Sequence, residues 1–234
     1  MSKLKSFSEF AGFKEVDAIG YGNEIVKHRQ TYANQEPAII KLAKENGVYE
    51  QLLHFQNPRN SSQETLSEIE EMITIQESLG DSDIELIKRA EEDLLGLINA
   101  KLIELGGADE MLLLEAITKF TDPLLYKLKN FYNRPRPYQL ARALDLEMYP
   151  IIPTNASSAA YPSGHALDSY TCGWILGQKY PELADQLATY CEDLAFTRIQ
   201  AGVHYRSDTD FSKIVFDKLI ESKTITLDSF FIKN

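Results

Sequence analysis

Apolar residues return at a spacing of three and four along nearly the whole chain, and no clear segment alternates with the period of two that a half-buried strand requires. The pattern predicts helices almost throughout, an all-α chain. "SSQETLSEIEEMITIQESLG" (61–80) puts Leu66, Ile69, Met72 and Ile73 at helical spacing, with Ser61 and Glu64 as a capping box and Gly80 as the stop. Ser82 and Glu85 are expected to cap the next helix. Its Ile84, Ile87, Leu94, Leu95, Ile98 and Leu102 make one core-facing stripe before Gly106-Gly107, and its acidic residues read as a solvated face. A third helix fits "DEMLLLEAITKF". Asp122-Pro123 then has the form of an N-cap and first-turn pair opening a separate helix, which Pro135 and Pro137 should end. Residues 138–161, with Pro150, Pro153 and the run "TNASSAA", are expected to be irregular and to shape access to a site. Helices are expected again in "HALDSYTCGWILGQKY", in "PELADQLATYCEDLAFTRIQAG" and from about His204 to Ile220, with "TITLDSFFI" a short strand or an extended tail.

With 234 residues, 44% of them hydrophobic, the chain can bury a full core. No break in composition divides it, so 1–234 is expected to form a single domain: 1–120 supplies N-terminal helices, and 121–220 holds the motifs that carry chemistry. A formal net charge of −11 argues against nucleic acid or an anionic membrane as partner, since both call for basic surface. The first twenty residues lack the uninterrupted apolar stretch of a secretory signal, and runs such as "MLLLEAI" fall far short of the ~20 residues that span a bilayer. The expectation is a cytoplasmic or otherwise soluble protein without stable membrane insertion; a homo-oligomer stays open. Cys172 and Cys191 lack metal-ligand spacing and read as buried thiols, with a single bridge between them also open.

Three short blocks stand out against the acidic background. "KLKNFYNRPRPY" gathers Lys127, Lys129, Arg134 and Arg136; "YPSGH" ends on Ser163, Gly164 and His165; "TRIQAGVHYRSD" sets Arg198 six positions before His204 and Asp208 four after it. Four positions along a helix return to the same face, so Asp208 is expected to reach the His204 ring. Phosphoryl transfer asks for such a set. Lys129, Arg136 and Arg198 can hold the equatorial oxygens, and arginine can do so bidentately. Ser163 and Gly164 at a helix start add a hydroxyl and backbone N–H groups that bind the same anion. His204, oriented by Asp208, has the form of a nucleophile, and His165 that of the group that protonates the leaving alkoxide and then activates water. His165, with an ordinary pKa near ~6.5, is expected to be protonated mainly in mildly acid medium.

In order and spacing these blocks are similar to the signature of the type 2 phosphatidic acid phosphatase and vanadium haloperoxidase superfamily. Lys129 stands six residues before Arg136-Pro137, then comes Pro162-Ser163-Gly164-His165, then Thr197-Arg198, five residues, His204, three residues and Asp208. The first block also fits with Lys127 and Arg134-Pro135. Thr197 replaces the usual serine and keeps the hydroxyl. "KNFYNRPRPY" looks most like the soluble bacterial nonspecific acid phosphatases. The resemblance implies a mostly helical bundle with the active site between helices of the C-terminal half. It also implies a metal-independent, vanadate-sensitive acid phosphatase that takes small phosphate esters through a phosphohistidine, with no metal and no cofactor. Its alternatives are a vanadate-dependent haloperoxidase, a lipid or isoprenoid (di)phosphate phosphatase, and a binding protein that has lost turnover. Each block alone has a plainer reading as surface charge or a helix start, whereas their joint occurrence favours one anion site. His28 and His54 have no such partners, and Trp174 reads as core.

Overall fold

In the computed structural model, which describes residues 16–22, 36–152 and 158–230, ten helices lie within the described residues and no strand occurs among them. They are α1 (Ala38–Glu45), α2 (Val48–Leu53), α3 (Gln63–Glu77), α4 (Asp81–Glu92), α5 (Leu94–Glu104), α6 (Met111–Tyr132), α7 (Pro137–Ala143), α8 (Gly164–Lys179), α9 (Ala184–Gln200) and α10 (Arg206–Glu221). "TITLDSFFI" is neither strand nor extended tail where described: Leu227–Ser229 is one 3-10 turn, and 231–234 lie outside the described residues.

Several expected boundaries move, each for a local reason. Ser62, not Ser61, caps α3 by accepting from the Thr65 N–H at 3.2 Å, because Ser61 is engaged with the Asp17 carboxylate. Gly80 opens the next helix instead of stopping α3, and its N–H donates to Asp83 Oδ2 at 2.9 Å; Ser82 and Glu85 do not cap it. The long stripe of 84–102 is two helices, since Asp93 leaves the helical conformation and its side chain accepts from the Gly96 N–H at 2.9 Å. Within it Ile84 and Leu95 are only half-buried. In contrast, Asp122-Pro123 opens nothing. α6 runs through it for 22 residues, with Thr121 Oγ1 donating back to the Ile117 carbonyl and Leu124, Leu125 and Leu128 buried beyond the proline. Burial of that face offsets the helical hydrogen bond that proline cannot make. Part of the segment expected to be irregular is helical: Pro137 supplies a proline-led first turn to α7, while 153–157 lie outside the described residues.

α8 is the central element. It packs along α9 over the most extensive helix interface and also touches α5, α6 and α10. Close approach is built into its sequence, because a Cβ on Gly173 would fall 2.8 Å from Cys191 Sγ, and one on Gly177 would fall 3.1 Å from Ala184 Cβ. Both cysteines are buried free thiols, and Trp174 is half-buried against the same core. Gly173→Val is expected to lower unfolding stability by about 1–3 kcal/mol through overpacking. A reduced urea midpoint at unchanged slope would show it; an unchanged midpoint would mean that the α8–α9 seam can open without cost.

Candidate active site

Each block ends at a helix terminus. Lys129 lies in the last turn of α6, and Arg136 is the residue before Pro137 at the start of α7. Ser163 is the N-cap of α8, with Gly164 and His165 in its first turn; its Oγ accepts from the Ala166 N–H at 3.4 Å. Arg198 is in the last turn of α9, His204 in the turn that follows, and Asp208 in the first turn of α10. The fold brings these termini together. Arg136 Nη1 lies 2.8 Å from His204 Nε2 and 2.9 Å from the Val203 carbonyl, and the Ser163 N–H donates to the Asp208 carbonyl at 3.2 Å. Lys129, Arg136, Arg198, Ser163, His204 and Asp208 are buried, whereas Gly164 and His165 are only half-buried.

The hydrogen bonds fix the tautomer of His204. Arg136 keeps its proton, so Nε2 must accept. Nδ1 then carries the hydrogen and donates to Asp208 Oδ2 at 3.0 Å. That arrangement leaves a lone pair on Nε2, the atom a nucleophile would use. The link is not the helix-face pair expected from the spacing. His204 precedes α10, and the same Asp208 Oδ2 accepts the Tyr205 N–H at 2.9 Å, so a capping carboxylate at the helix start also orients the ring.

The cations are held by backbone carbonyls. Lys129 Nζ donates to Ala159 O at 2.6 Å and Arg136 Nε to Ser158 O at 2.9 Å. Arg198 pairs with Glu91 through Nη2, while its Nε and Nη1 are buried with no partner among the described residues. Each of these two unpaired donors can meet an oxygen of an anion. Of the first block's two registers, Lys129 and Arg136 are the buried pair, with Arg136 at His204. Lys127 is exposed on the outer face of α6, and Arg134 turns to a different task, gripping Asp208 Oδ1 at 2.7 Å through Nη1.

Burial, reinforced by Arg136, Lys129 and Arg198, holds the His204 pKa well below its ordinary value. His165 is likewise held well below, by burial and then Arg198 and Arg136, although a hydrogen bond to the Ala90 backbone opposes the shift. The direction runs against the expectation that His165 is mainly protonated in mildly acid medium. Burial first, then Asp122, pushes Asp168 up to about 8, and its Oδ1 is sealed from solvent without a partner among the described residues.

These shifts give a signed pH dependence. Below about pH 6.5 the unfolded chain protonates both histidines more readily than the folded site does, so each lowers stability as the pH falls. Asp168 acts oppositely between about 4 and 8, because there the folded state keeps its proton. Asp168 thus opposes the histidines, and stability is expected to fall more steeply between about pH 6.5 and 5 in Asp168→Asn than in the parent. Urea midpoints of both proteins at pH 5, 6 and 7 check it; parallel curves would remove Asp168 from the balance.

Residues that the sequence reading passed over complete the site. Glu91 and the Ala90 backbone come from α4, and Glu68 from α3; the acidic face of α4 is thus not wholly solvated. No spacing rule joins residues 66 to 107 positions apart, so only the fold reveals them. His54 is exposed, with Nδ1 at the Glu50 carbonyl, and takes no part; His28 lies outside the described residues.

Residues 110–215, which contain every one of the eight expected site residues, match the family model of the PAP2 superfamily. The curated non-specific acid phosphatase of Salmonella typhi is 32% identical over 92 residues, covering 37% of this chain and 34% of that protein. The chain thus aligns with about a third of that relative's length. Among solved structures, the transmembrane PAP2 type phosphatidylglycerolphosphate phosphatase from Bacillus subtilis aligns with a TM-score of 0.47 at 14% identity. That alignment covers 80% of this chain and 94% of the other. No described helix is long and apolar enough to cross a membrane.

Proposed function

We propose, from the match of residues 110–215 to the PAP2 superfamily model, that this protein is an acid phosphatase acting on small soluble phosphomonoesters through a phosphohistidine. The observation that carries the reading is the tautomer of His204, with Nδ1–H on Asp208 and the Nε2 lone pair turned to the buried cations. Arg136 leaves Nε2 for the incoming phosphate, and Lys129, Arg198, Ser163 and the Gly164 N–H bind its other oxygens. Nε2 attacks phosphorus in line. The N–P bond forms as the P–O bond to the alcohol breaks, and His165 gives its proton to the departing oxygen. Water then attacks phosphorus, His165 takes its proton, the N–P bond breaks, and inorganic phosphate leaves with His204 neutral again.

His165 must be charged for the first half of this cycle, and the dianion itself supplies the means. Burial, then Arg198, Arg136 and Lys129, holds the ring below its ordinary value; a phosphate dianion beside it offsets those cations and raises the ring's proton affinity. Arg136 and Arg198, joined by Lys129, also provide the charge that the equatorial oxygens require. The half-buried His165 supports a leaving group that faces solvent, as in a small soluble ester.

The test is hydrolysis of p-nitrophenyl phosphate with chelator and with vanadate, followed by acid quench and a search for labelled phosphate on His204. Turnover that survives chelator, falls with vanadate and leaves label on His204 is expected. Turnover with no trapped phosphohistidine at any time point would overturn the covalent route.

A further inference from the structure

A second, outer chain of charge stands behind His204. Arg134 lies between α6 and α7 and is 1% exposed. Its Nη1 reaches Asp208 Oδ1 and Ser207 Oγ, each at 2.7 Å, and its Nη2 reaches Glu68 Oε2 at 3.2 Å. The guanidinium lies 3.8 Å from the centroid of the Tyr205 ring. Glu68 is 8% exposed and also accepts from Ser207, through both its N–H and its Oγ. Two carboxylates thus share one guanidinium in a buried setting. With His204 neutral, the group Glu68–Arg134–Asp208 holds one negative charge in excess.

We propose that Glu68 is a positioning residue that acts on His204 through Arg134 and Asp208. This rests on the phosphohistidine reading above. When Nε2 bonds to phosphorus and Nδ1 keeps its hydrogen, the imidazole gains a positive charge. Asp208 is the carboxylate that meets that charge. Arg134 alone would neutralise Asp208; Glu68 draws part of the guanidinium's field to itself and leaves Asp208 a strong acceptor for Nδ1–H. In so dry a site that difference is felt at full strength. The charge that supports the nucleophile therefore comes in part from α3, in the N-terminal half and outside the matched segment.

A merely structural Glu68 would anchor α3 to the start of α10 and nothing more, and two variants of the full chain separate the cases. Glu68→Gln keeps the shape and removes the charge. It is expected to lower kcat on p-nitrophenyl phosphate by about tenfold or more, as loss of a buried supporting partner commonly does, with KM and inhibition by inorganic phosphate within about twofold. In proton NMR the His204 Nδ1–H resonance is expected to move upfield. The double variant Glu68→Gln with Arg134→Met restores one net negative charge to Asp208, and its kcat is expected to stay within about tenfold of the parent. A structural anchor predicts the opposite order, the double variant being worse than the single.

Unchanged kcat in Glu68→Gln, or a double variant no better than it, overturns the proposal. If the single variant fails to fold, the double variant decides alone by the same tenfold threshold. If the parent hydrolyses no phosphate ester, the function reading fails separately, and the Nδ1–H resonance decides: no shift in Glu68→Gln overturns the proposal.

Discussion

Replacing His204 by alanine is expected to lower kcat/KM for phosphate esters by about 10⁴-fold or more, while inorganic phosphate still binds. The first part follows from the nucleophile's role proposed for His204; such residues act as a unit with their partners, and single removal costs most of the catalysis. The second part follows from the contacts. Lys129, Arg136 and Arg198 do not need His204 to stay in place, and Arg136 Nη1 is released from Nε2 by the change. Asp208 retains Arg134 and the Tyr205 N–H, so the fold should persist. Steady-state kinetics with phosphate as inhibitor measures both. Activity within a hundredfold of the parent would show that another group attacks phosphorus.

Arg134→Ala is expected to be the most damaging change to stability. It removes the guanidinium that both Glu68 and Asp208 share and leaves two buried carboxylates facing one another. Breaking a buried ion pair by deleting one partner costs about 3–5 kcal/mol, which for a chain of this size lowers Tm by about 10 °C. Loss of the side chain from the face of Tyr205 adds a cavity to that cost. Thermal melts at neutral pH check it, and Arg134→Lys should recover only part, since one ammonium cannot reproduce the fork that spans both acids. A melt within 2 °C of the parent would mean that one carboxylate is protonated in the folded state.

The all-α character was legible because helical periodicity and capping chemistry are local. Boundaries that depend on competition were not. Ser61 and Ser62 are equally good caps until Asp17 occupies one of them. Pro123 reads as a helix start until the buried face of α6 outweighs its missing hydrogen bond. Asp93 reads as a solvated charge until its side chain turns back on Gly96. In each case an interaction across the fold, or a conformation that periodicity does not encode, chose between two local options of similar energy.

The site divides along the same line. The sequence by itself singled out the groups of the candidate site: Lys129, Arg136, Ser163, Gly164, His165, Arg198, His204 and Asp208 lie in short blocks whose spacing is that of an anion site. It left two registers for the first block. Tertiary structure chose Lys129 and Arg136 by burying them beside His204, put Lys127 in solvent, and gave Arg134 to Asp208. It alone decided that Glu68 and Glu91 belong to the site, and that His204 and Asp208 meet across a helix start instead of along a helix face. The physical reason is range. Local steric and hydrogen-bonding preferences act over a few residues and show in the order of amino acids. The sharing of buried charge acts between segments far apart in the chain and takes form only when folding removes the water between them.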